Sequence, residues 1–401
     1  MPSTSPENGS PARPPVPLLT VLREWGRLGC VGFGGPPTHI RLLRELCVER
    51  RRWMEAREFE DALAACNLLP GPASTQLAIF CASRVRGRPG AVVGGVAFIV
   101  PGLVAILALA ALFLSGSPPR WLLGAAAGAG AAVAAVAVQA ALALLVPSWR
   151  GRPGSSRVRW VGYVAAGLLA AATLGTWVVV VLLGCGAVEL GLVWGRRPGP
   201  GPGTMRQGSI GPALLLAAGA LGGSALLPLS WVALKVGALS YGGGFVIIPL
   251  MQADAVHRYH WMSGQQFLDA VALGQVTPGP VVQTVAVVGY AAAGLGGGLL
   301  ASAVAFAPSF AIMLLGAHRF DRVRGDERAR AFLDGAGPAA IGAILGSAVP
   351  LTAALTQPWQ YVVLAAAAGT LLRLRRGVVP TLLGAGAAGA LAVLAGAPLP
   401  H

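Results

Sequence analysis

The chain of 401 residues is 55% hydrophobic, has only 11% charged residues and carries a formal net charge of +15. Soluble domains carry about 25% charged residues, so this composition excludes an ordinary soluble domain. The basic residues form short runs between apolar segments, at 50–52, 196–197 and 373–376. That pattern is typical of cytoplasmic membrane loops, and it argues against a nucleic-acid-binding surface.

The chain begins with a Pro- and Ser-rich stretch, 1–16, which has no apolar core behind a basic start and predicts a disordered tail. Long apolar runs follow at 90–115, 121–146, 159–195, 209–228, 295–317 and 378–398. Each can span roughly 30 Å of hydrocarbon, and with the shorter runs we expect about 10–12 apolar segments in an all-α polytopic membrane protein. The cysteines show no metal-ligand spacing, so we expect no metal and no cofactor.

Two forty-residue stretches repeat one another. Residues 33–72 align without a gap on 241–280, and fifteen of the forty positions are identical. The identities include a Gly-Gly pair, a Trp-Met pair and a Pro-Gly-Pro triplet: Gly34-Gly35 and Gly242-Gly243, Trp53-Met54 and Trp261-Met262, Pro70-Gly71-Pro72 and Pro278-Gly279-Pro280. Chance similarity between apolar stretches does not place such motifs in one register, so we predict two homologous halves.

A Pro/Gly-rich segment at 198–203 separates the halves and has the composition of a linker. We therefore expect a first repeat domain at 17–197, a linker at 198–208 and a second repeat domain at 209–401. Irregular backbone at membrane depth is tolerated only inside protein or beside a watery cavity. The two Pro-Gly-Pro breaks are therefore expected to lie close together, with the Gly-Gly pairs nearby, and to line a pathway.

The arginines predict opposite orientations for the two halves. The stretch 41–57 holds six arginines, whereas its counterpart 249–265 holds only Arg258. The positive-inside rule places the first loop in the cytoplasm and the second outside, which is the inverted-repeat design of many secondary transporters. Arginines on both sides of the first Pro-Gly-Pro segment favour a re-entrant segment. The crossings leave two alternatives: a half-helix within 209–250, or an odd number of crossings in 159–195.

Two cations lie in apolar surroundings at equivalent positions of the repeat. They are Arg27 and Lys235, and Lys235 is the only lysine in the chain. Charged residues inside membrane segments are costly and are usually functional, so the pair is predicted to neutralise a dianion near the midplane. The alternative is that both lie near helix ends and reach the headgroups.

Neutral polar side chains surround the breaks. A broken helix exposes backbone N–H groups at a half-helix N-terminus, where the dipole favours anions. The predicted substrate-binding residues are therefore the breaks and the amides and hydroxyls beside them: Gly34, Gly35, Pro36, Asn67, Pro70, Gly71, Pro72, Ser74, Thr75, Gln76, Gly242, Gly243, Gln275, Pro278, Gly279, Pro280, Gln283 and Thr284. The alternative is that these polar groups only cap the broken helices.

Four carboxylates are candidates for carrying a proton coupled to transport. Asp61 and Asp269 are equivalent under the repeat, whereas Glu24 and Glu189 have no repeat partner. The structural alternative pairs each aspartate with the arginine eleven residues before it, and treats both glutamates as paired carboxylates.

Taken together, these motifs resemble the chromate ion transporter family in its long, two-domain bacterial form. The resemblance covers roughly 17–375 and rests on these stretches: Phe33-Gly34-Gly35-Pro36 with His39, Trp53-Met54 with Phe59, Leu69-Pro70-Gly71-Pro72 with Gln76, Phe98-Ile99-Val100-Pro101, Tyr241-Gly242-Gly243-Gly244, Trp261-Met262 and Thr277-Pro278-Gly279-Pro280. The second half has Gly244 where the first has Pro36, so the two breaks are not expected to be interchangeable.

The resemblance implies a secondary transporter of the bacterial inner membrane that exports chromate with the proton-motive force, with sulfate as the isosteric competitor. Its partners would be a small oxyanion and the lipid bilayer, with no nucleic acid, and a homodimer is left open. Transport of sulfate or another small anion is the first alternative. A membrane-embedded enzyme is the second, although the sequence offers no nucleophile–base pair, metal cluster or nucleotide loop.

Overall fold

All regular structure in the described part of the chain is helical. The computed structural model describes residues 16–67, 69–114, 118–150, 154–174, 177–194, 226–240, 247–316 and 327–400. The linker 198–208, residues 1–15 of the tail and the second glycine pair, Gly242 and Gly243, lie outside these residues. The predicted all-α membrane fold is confirmed.

The described helices of the first half are α1 Leu18–Val31, α2 Pro36–Arg44, α3 Ala56–Cys66, α4 Ala73–Phe113, α5 Arg120–Ala131, α6 Val133–Arg150, α7 Gly154–Thr173 and α8 Val178–Trp194. A π-helical turn, Glu45–Arg50, continues α2. Glycines with positive φ end the helical path before α2, at Gly34 (φ 94°) and Gly35 (φ 75°). Prolines at the first two positions of α2 then start the next helix, because a proline there sacrifices no helical hydrogen bond.

The described helices of the second half are α9 Leu226–Leu239, α10 Ile247–Gln252, α11 Gly264–Val276, α12 Thr284–Gly316, α13 Glu327–Ala353, α14 Pro358–Ala368 and α15 Val378–Leu394. A π-helical turn, Ala253–Arg258, continues α10, and a 3-10 turn, Val281–Gln283, leads into α12. A third π-helical turn, Gly369–Arg373, continues α14. A capping box between Ser263 and Gln266 starts α11.

Two of the long helices, α4 and α12, are folded back on themselves. Their backbones leave the helical region at Arg86-Gly87 and at Ala293-Gly294, where both glycines have a positive φ, 62° and 61°. A Cβ atom added at Gly90 would lie 2.4 Å from the carbonyl oxygen of Ala82, a distance that a straight helix does not allow. Each of these helices is therefore a pair of antiparallel arms.

The first arm of α4 forms a second hairpin with α3. Arg84, near the end of that arm, donates to Glu58, near the start of α3, at 2.5 Å. The two helices therefore run in opposite directions with the first Pro-Gly-Pro break at the tip. This is the shape predicted for a re-entrant segment.

Four described stretches are long and apolar enough to cross a membrane: Ala73–Phe113, Arg120–Arg150, Val281–Leu315 and Arg330–Ala353. In the two folded helices the second arm supplies this length, because 26 residues at 1.5 Å per residue, as in 88–113, measure about 39 Å. The apolar run 159–195 contains two helices, α7 and α8, so its odd number of crossings is not supported.

The two halves exchange their outer helices. Helix α13 of the second half packs against α6, α7 and α8 of the first, and α15 packs against α5. The α7–α13 contact is close, since a Cβ atom added at Gly342 would lie 1.9 Å from the carbonyl oxygen of Val164. The folded helices α4 and α12 also pack together. One hydrophobic core thus contains residues from both halves.

Candidate functional site

The second Pro-Gly-Pro break lies against the first glycine break. The amide N–H of Gly279 donates to the carbonyl oxygen of Gly32, with the nitrogen and oxygen 3.0 Å apart. A Cβ atom added at Gly35 would lie 3.6 Å from the side chain of Val281. Motifs more than 200 residues apart in sequence are therefore neighbours. This agrees with the expectation that segments of irregular backbone pack together inside the protein.

Each Pro-Gly-Pro break also touches the long helix of the other half. Gln283 Nε2, just after the second break, donates to the carbonyl oxygen of Ile99 in α4 at 2.6 Å. At the first break, a Cβ atom added at Gly71 would lie 2.9 Å from the hydroxyl oxygen of Ser309 in α12. The first contact lies two residues from Pro101 of α4, and the second lies next to Pro308 of α12.

Two matching glutamines have different partners. Gln76 follows the first break as Gln283 follows the second, but Gln76 Nε2 donates to the carbonyl oxygen of Pro70 in its own half, at 2.6 Å. Gln283 instead reaches Ile99 in the opposite half. The two breaks therefore share a sequence motif without sharing a hydrogen-bond arrangement.

A cavity of about 400 Å³ lies beside the breaks. Its lining includes the first glycine break, residues next to both Pro-Gly-Pro triplets and one face of α6, namely Gly34, Gly35, Pro36, Asn67, Ala73, Gln139, Gln275 and Val281. Its polar side chains are the amides of Asn67, Gln139 and Gln275, and no charged residue belongs to the described lining. The cavity is therefore mostly apolar, and its polar side chains are neutral amides.

Three helical segments begin at this cavity. Helix α2 begins at Pro36, α4 begins at Ala73, and the 3-10 turn leading into α12 begins at Val281. The first N–H groups of a helix have no acceptor within that helix. Helix α4 and the turn before α12 offer such groups, whereas the first two residues of α2 are prolines, which have no N–H. Together with the helix dipole, equivalent to roughly half a positive charge at each N-terminus, these N–H groups favour an anion.

Several buried polar atoms around the breaks have no hydrogen-bond partner among the described residues. They are Gln275 Nε2, Gln76 Oε1, Gln283 Oε1, Thr75 Oγ1 and Ser309 Oγ. An unsatisfied buried polar group costs about 1–3 kcal/mol. Of these residues, Gln275 belongs to the lining of the cavity, and its unpaired Nε2 is a hydrogen-bond donor.

His39 joins three parts of the site. Its Nε2 donates to the carbonyl oxygen of Gly32 at 2.9 Å, and its Nδ1 lies 3.3 Å from the hydroxyl of Ser74. Since a carbonyl oxygen only accepts, neutral His39 carries its proton on Nε2 and Nδ1 accepts from Ser74. The same Gly32 oxygen accepts from Gly279. His39 was noticed in the sequence but has no counterpart in the second half, and that absence hid its role.

Two stretches of the chain, residues 19–190 and 227–391, match the sequence profile of the family described as Chromate transporter. The chain belongs to the chromate transporter family. The matched stretches contain both Pro-Gly-Pro breaks, the first glycine break and the lining of the 400 Å³ cavity. The resemblance seen in the sequence motifs is therefore confirmed.

Named members of the chromate transporter family are similar over most of their length. The chromate transport protein of Cupriavidus metallidurans is 32% identical over 358 residues, covering 87% of this chain and 86% of the relative. The chromate transport protein of Pseudomonas aeruginosa is 30% identical over 351 residues, covering 84% and 82%. The probable chromate transport protein of Synechococcus elongatus is 29% identical over 347 residues, covering 84% and 85%. No solved structure matches this chain.

The two predicted cations of this chromate transporter do not line the cavity. Lys235 forms an ion pair with Asp254, and the side chains of the two residues are only 12% and 0% exposed. Arg27 lies on an exposed face of α1. The structure therefore gives Lys235 a protein carboxylate as its counter-ion, and it places neither cation at the breaks.

Asp269, a predicted proton carrier, belongs to a polar network between helices. It accepts from Gln265 Nε2 at 2.8 Å, and Gln265 Oε1 accepts from Gln360 Nε2 of α14 at 3.0 Å. The alternative that Asp269 pairs with Arg258 is wrong. Helix α11 turns Asp269 toward α5, where a Cβ atom added at Gly130 would lie 2.9 Å from its carboxylate.

The remaining carboxylates differ in their partners. Glu24 forms ion pairs with Arg50 and Arg51, so Arg50 is engaged there. Glu189 accepts from Arg159 Nε at 2.7 Å and from the Tyr163 hydroxyl at 3.3 Å. Both glutamates are paired, as the structural alternative expects.

Asp61 is half-buried on α3. Among the predicted binding residues, Ser74 contacts His39, and the Thr284 hydroxyl caps its own turn by donating to the carbonyl of Val281 at 2.9 Å.

Sequence reasoning missed two residues of interest. Gln139 lines the cavity from within the apolar run 121–146, where an isolated amide is itself a signal. Asp254 is the counter-ion of Lys235, but it lies in a polar stretch 19 residues further on, and no sequence periodicity connects the two.

Proposed function

We propose that this chain is a secondary transporter that exports chromate across the bacterial inner membrane with the energy of the proton-motive force. Membership of the chromate transporter family supports the substrate class. The observation that carries the proposal is the 400 Å³ cavity at which residues next to the breaks of both halves meet. Irregular backbone inside a membrane is tolerated only within protein or beside a watery cavity, so breaks that lie beside a cavity are what a pathway through the protein predicts.

The oxyanion binds in this cavity through neutral donors. The amide side chains of Asn67 and Gln275 occupy equivalent positions of the repeat and line it together. The N-terminal ends of α2, α4 and the turn before α12 contribute positive dipole ends. Dipoles and amides hold a dianion less tightly than paired guanidinium groups would, so the ion is bound and then released.

Sulfate is the second candidate substrate. Chromate and sulfate are both tetrahedral dianions at neutral pH, and a site of amides and helix ends recognises charge and shape more than the central atom. We expect sulfate to compete, and the ratio of the two affinities decides which is the physiological cargo.

The different partners of Gln76 and Gln283 support an alternating mechanism. In the described conformation Gln283 donates a hydrogen bond to α4 of the other half, while Gln76 donates to the carbonyl oxygen of Pro70 in its own half. In the opposite conformation we expect these arrangements to be exchanged, with Gln76 reaching α12 beside Ser309 and Gln283 released. Such an exchange opens the site to the other side while its lining is kept.

Asp269 is the proposed proton carrier. Glu24 and Glu189 have arginine partners that stabilise their charged forms, whereas the partner of Asp269 is the neutral side chain of Gln265. Its repeat equivalent, Asp61, is the second candidate. Replacing Asp269 with Asn is expected to abolish accumulation of chromate against a gradient while chromate still equilibrates across the membrane.

Uptake of labelled chromate into everted membrane vesicles tests the whole proposal. Energised everted vesicles are expected to accumulate chromate, an uncoupler is expected to abolish accumulation, and excess sulfate is expected to reduce it. Accumulation only in right-side-out vesicles would reverse the direction. Accumulation that persists in the presence of the uncoupler would exclude the proton-motive force as the energy source. If neither vesicle orientation takes up chromate, chromate is not the substrate.

A further inference from the structure

A second, larger groove lies away from the breaks. It has a volume of about 960 Å³ and is bounded by the end of α7, the start of α8, one face of α9 and the π-helical turn after α10. Its walls are mainly apolar, and two tryptophans stand at its edge with much of their surface exposed: Trp177 is 68% exposed and Trp231 is 50% exposed. Tryptophans of this kind are enriched where a membrane protein meets the lipid headgroups.

The lining of the groove includes three basic side chains. Lys235, His257 and Arg258 all belong to its lining. The charge of Lys235 is taken by Asp254, but among the described ion pairs none involves Arg258, whose guanidinium lies over the ring of Tyr259 at 5.1 Å. His257 and Arg258 are exposed. The groove therefore offers one uncompensated cation and one imidazole beside an apolar wall.

The repeat shows why Arg258 has no carboxylate. Its equivalent in the first half, Arg50, is neutralised by Glu24. The position equivalent to Glu24 in the second half is Val232, so the same arginine is retained without its acid. A cation whose counter-ion is supplied in one half and missing in the other is free to take an anion from outside the chain.

We propose that this groove binds an anionic phospholipid, with the lipid phosphate at Arg258 and His257 and an acyl chain along the apolar face of α9. The face fits this role because Trp231, Leu234 and Ala238 follow one another at helical spacing along the groove. Basic pockets between membrane helices bind anionic headgroups in this manner. The apolar length of the groove favours a lipid over a free oxyanion, which would leave that wall uncovered.

Native mass spectrometry of the purified protein with added lipid tests the proposal. Phosphatidylglycerol and phosphatidylcholine with identical acyl chains are compared; both carry a phosphate, but the choline cation makes the second lipid neutral overall. Wild-type protein is expected to prefer phosphatidylglycerol by about fivefold, since one arginine near the membrane surface contributes roughly that much to the binding of a lipid with a net negative charge. Arg258→Gln is expected to lose this preference, and Ala238→Trp, which fills the groove, is expected to lose both lipids.

Arg376→Gln removes one exposed arginine outside the groove and serves as the matched control, which is expected to bind lipid as the wild type does. If Arg258→Gln is not monodisperse, Arg258→Lys replaces it. Because that variant keeps the charge, it is expected to retain the preference for phosphatidylglycerol. Equal binding of the two lipids by the wild type, or an intact preference in Arg258→Gln, overturns the proposal. Displacement of phosphatidylglycerol by chromate or sulfate also overturns it, because the groove then receives the free oxyanion. The outcome does not depend on chromate transport.

Discussion

At the scale of single residues, the ion pair Lys235–Asp254 raises two possible roles for the only lysine of the chain. Lys235 either stabilises the fold or binds the substrate. Lys235→Gln leaves Asp254, which is fully buried, without a counter-ion, and breaking a buried ion pair costs about 3–5 kcal/mol. We expect a lower melting temperature and less protein in the membrane, with Lys235→Gln/Asp254→Asn recovering both. Arg27→Gln, at an exposed site, is the control and is expected to change neither.

The dianion hypothesis for Arg27 and Lys235 predicts a different result. Normal abundance and melting temperature in Lys235→Gln, combined with a raised half-saturation constant for chromate, would show that the lysine serves the substrate after all. Measuring stability and transport on the same preparation keeps the two explanations apart.

Gln275 tests the cavity directly. Gln275→Ala removes a donor from the proposed site and is expected to raise the half-saturation constant for chromate about tenfold, the effect of losing one hydrogen bond to a charged ligand. Gln275→Glu adds a negative charge to the lining and is expected to abolish binding of a dianion. The control is Gln252→Ala, a buried glutamine outside the described lining. If Gln275→Glu transports chromate normally, the oxyanion binds elsewhere.

At the scale of elements, Gly102 fixes how closely α4 approaches the second break. A Cβ atom there would lie 2.1 Å from the carbonyl oxygen of Pro278, so Gly102→Val forces the break away from α4. We expect transport to be lost while the protein still inserts, because the displacement affects the break more than the outer helices. Gly296→Val, at a position with open space around it, is the control. Full transport by Gly102→Val would mean that this contact is not part of the pathway.

The sequence predicted the elements that carry a strong local signal. Proline and glycine specify the breaks, and the repeat specifies that both halves have them, so Pro70–Pro72 and Pro278–Pro280 were found. The arginines on both sides of the first Pro-Gly-Pro segment predicted that it is re-entrant, but they did not place the reversal at Arg86-Gly87, because a single glycine between two apolar stretches is a weak turn signal. The partners of Asp269 and Lys235 depend on which face of a helix meets which neighbour, and that is decided by tertiary packing.

At the scale of the whole molecule, the exchanged packing of the outer helices makes a prediction about the separated halves. Helices α7 and α8 complete their contacts only with α13, and α5 completes its contacts with α15. Residues 1–200 expressed alone are expected to be degraded, and so are residues 201–401. Co-expression of the two pieces is expected to restore stable protein and chromate transport. Stable accumulation of either piece alone would show that each half is an independent domain.

The close contact of α13 with α7 also has a consequence for synthesis. The last residue of α7 is 173, whereas α13 ends at 353, so 180 residues must be made before α7 has its complete partner. At usual rates of translation this takes roughly ten to thirty seconds. Throughout that interval the surface of α7 around Val164 and Leu168, which later receives the glycines of α13, faces lipid or an insertion factor. Slowing the ribosome between these points is therefore expected to increase loss of the nascent chain to membrane proteases, even though the finished protein is unchanged.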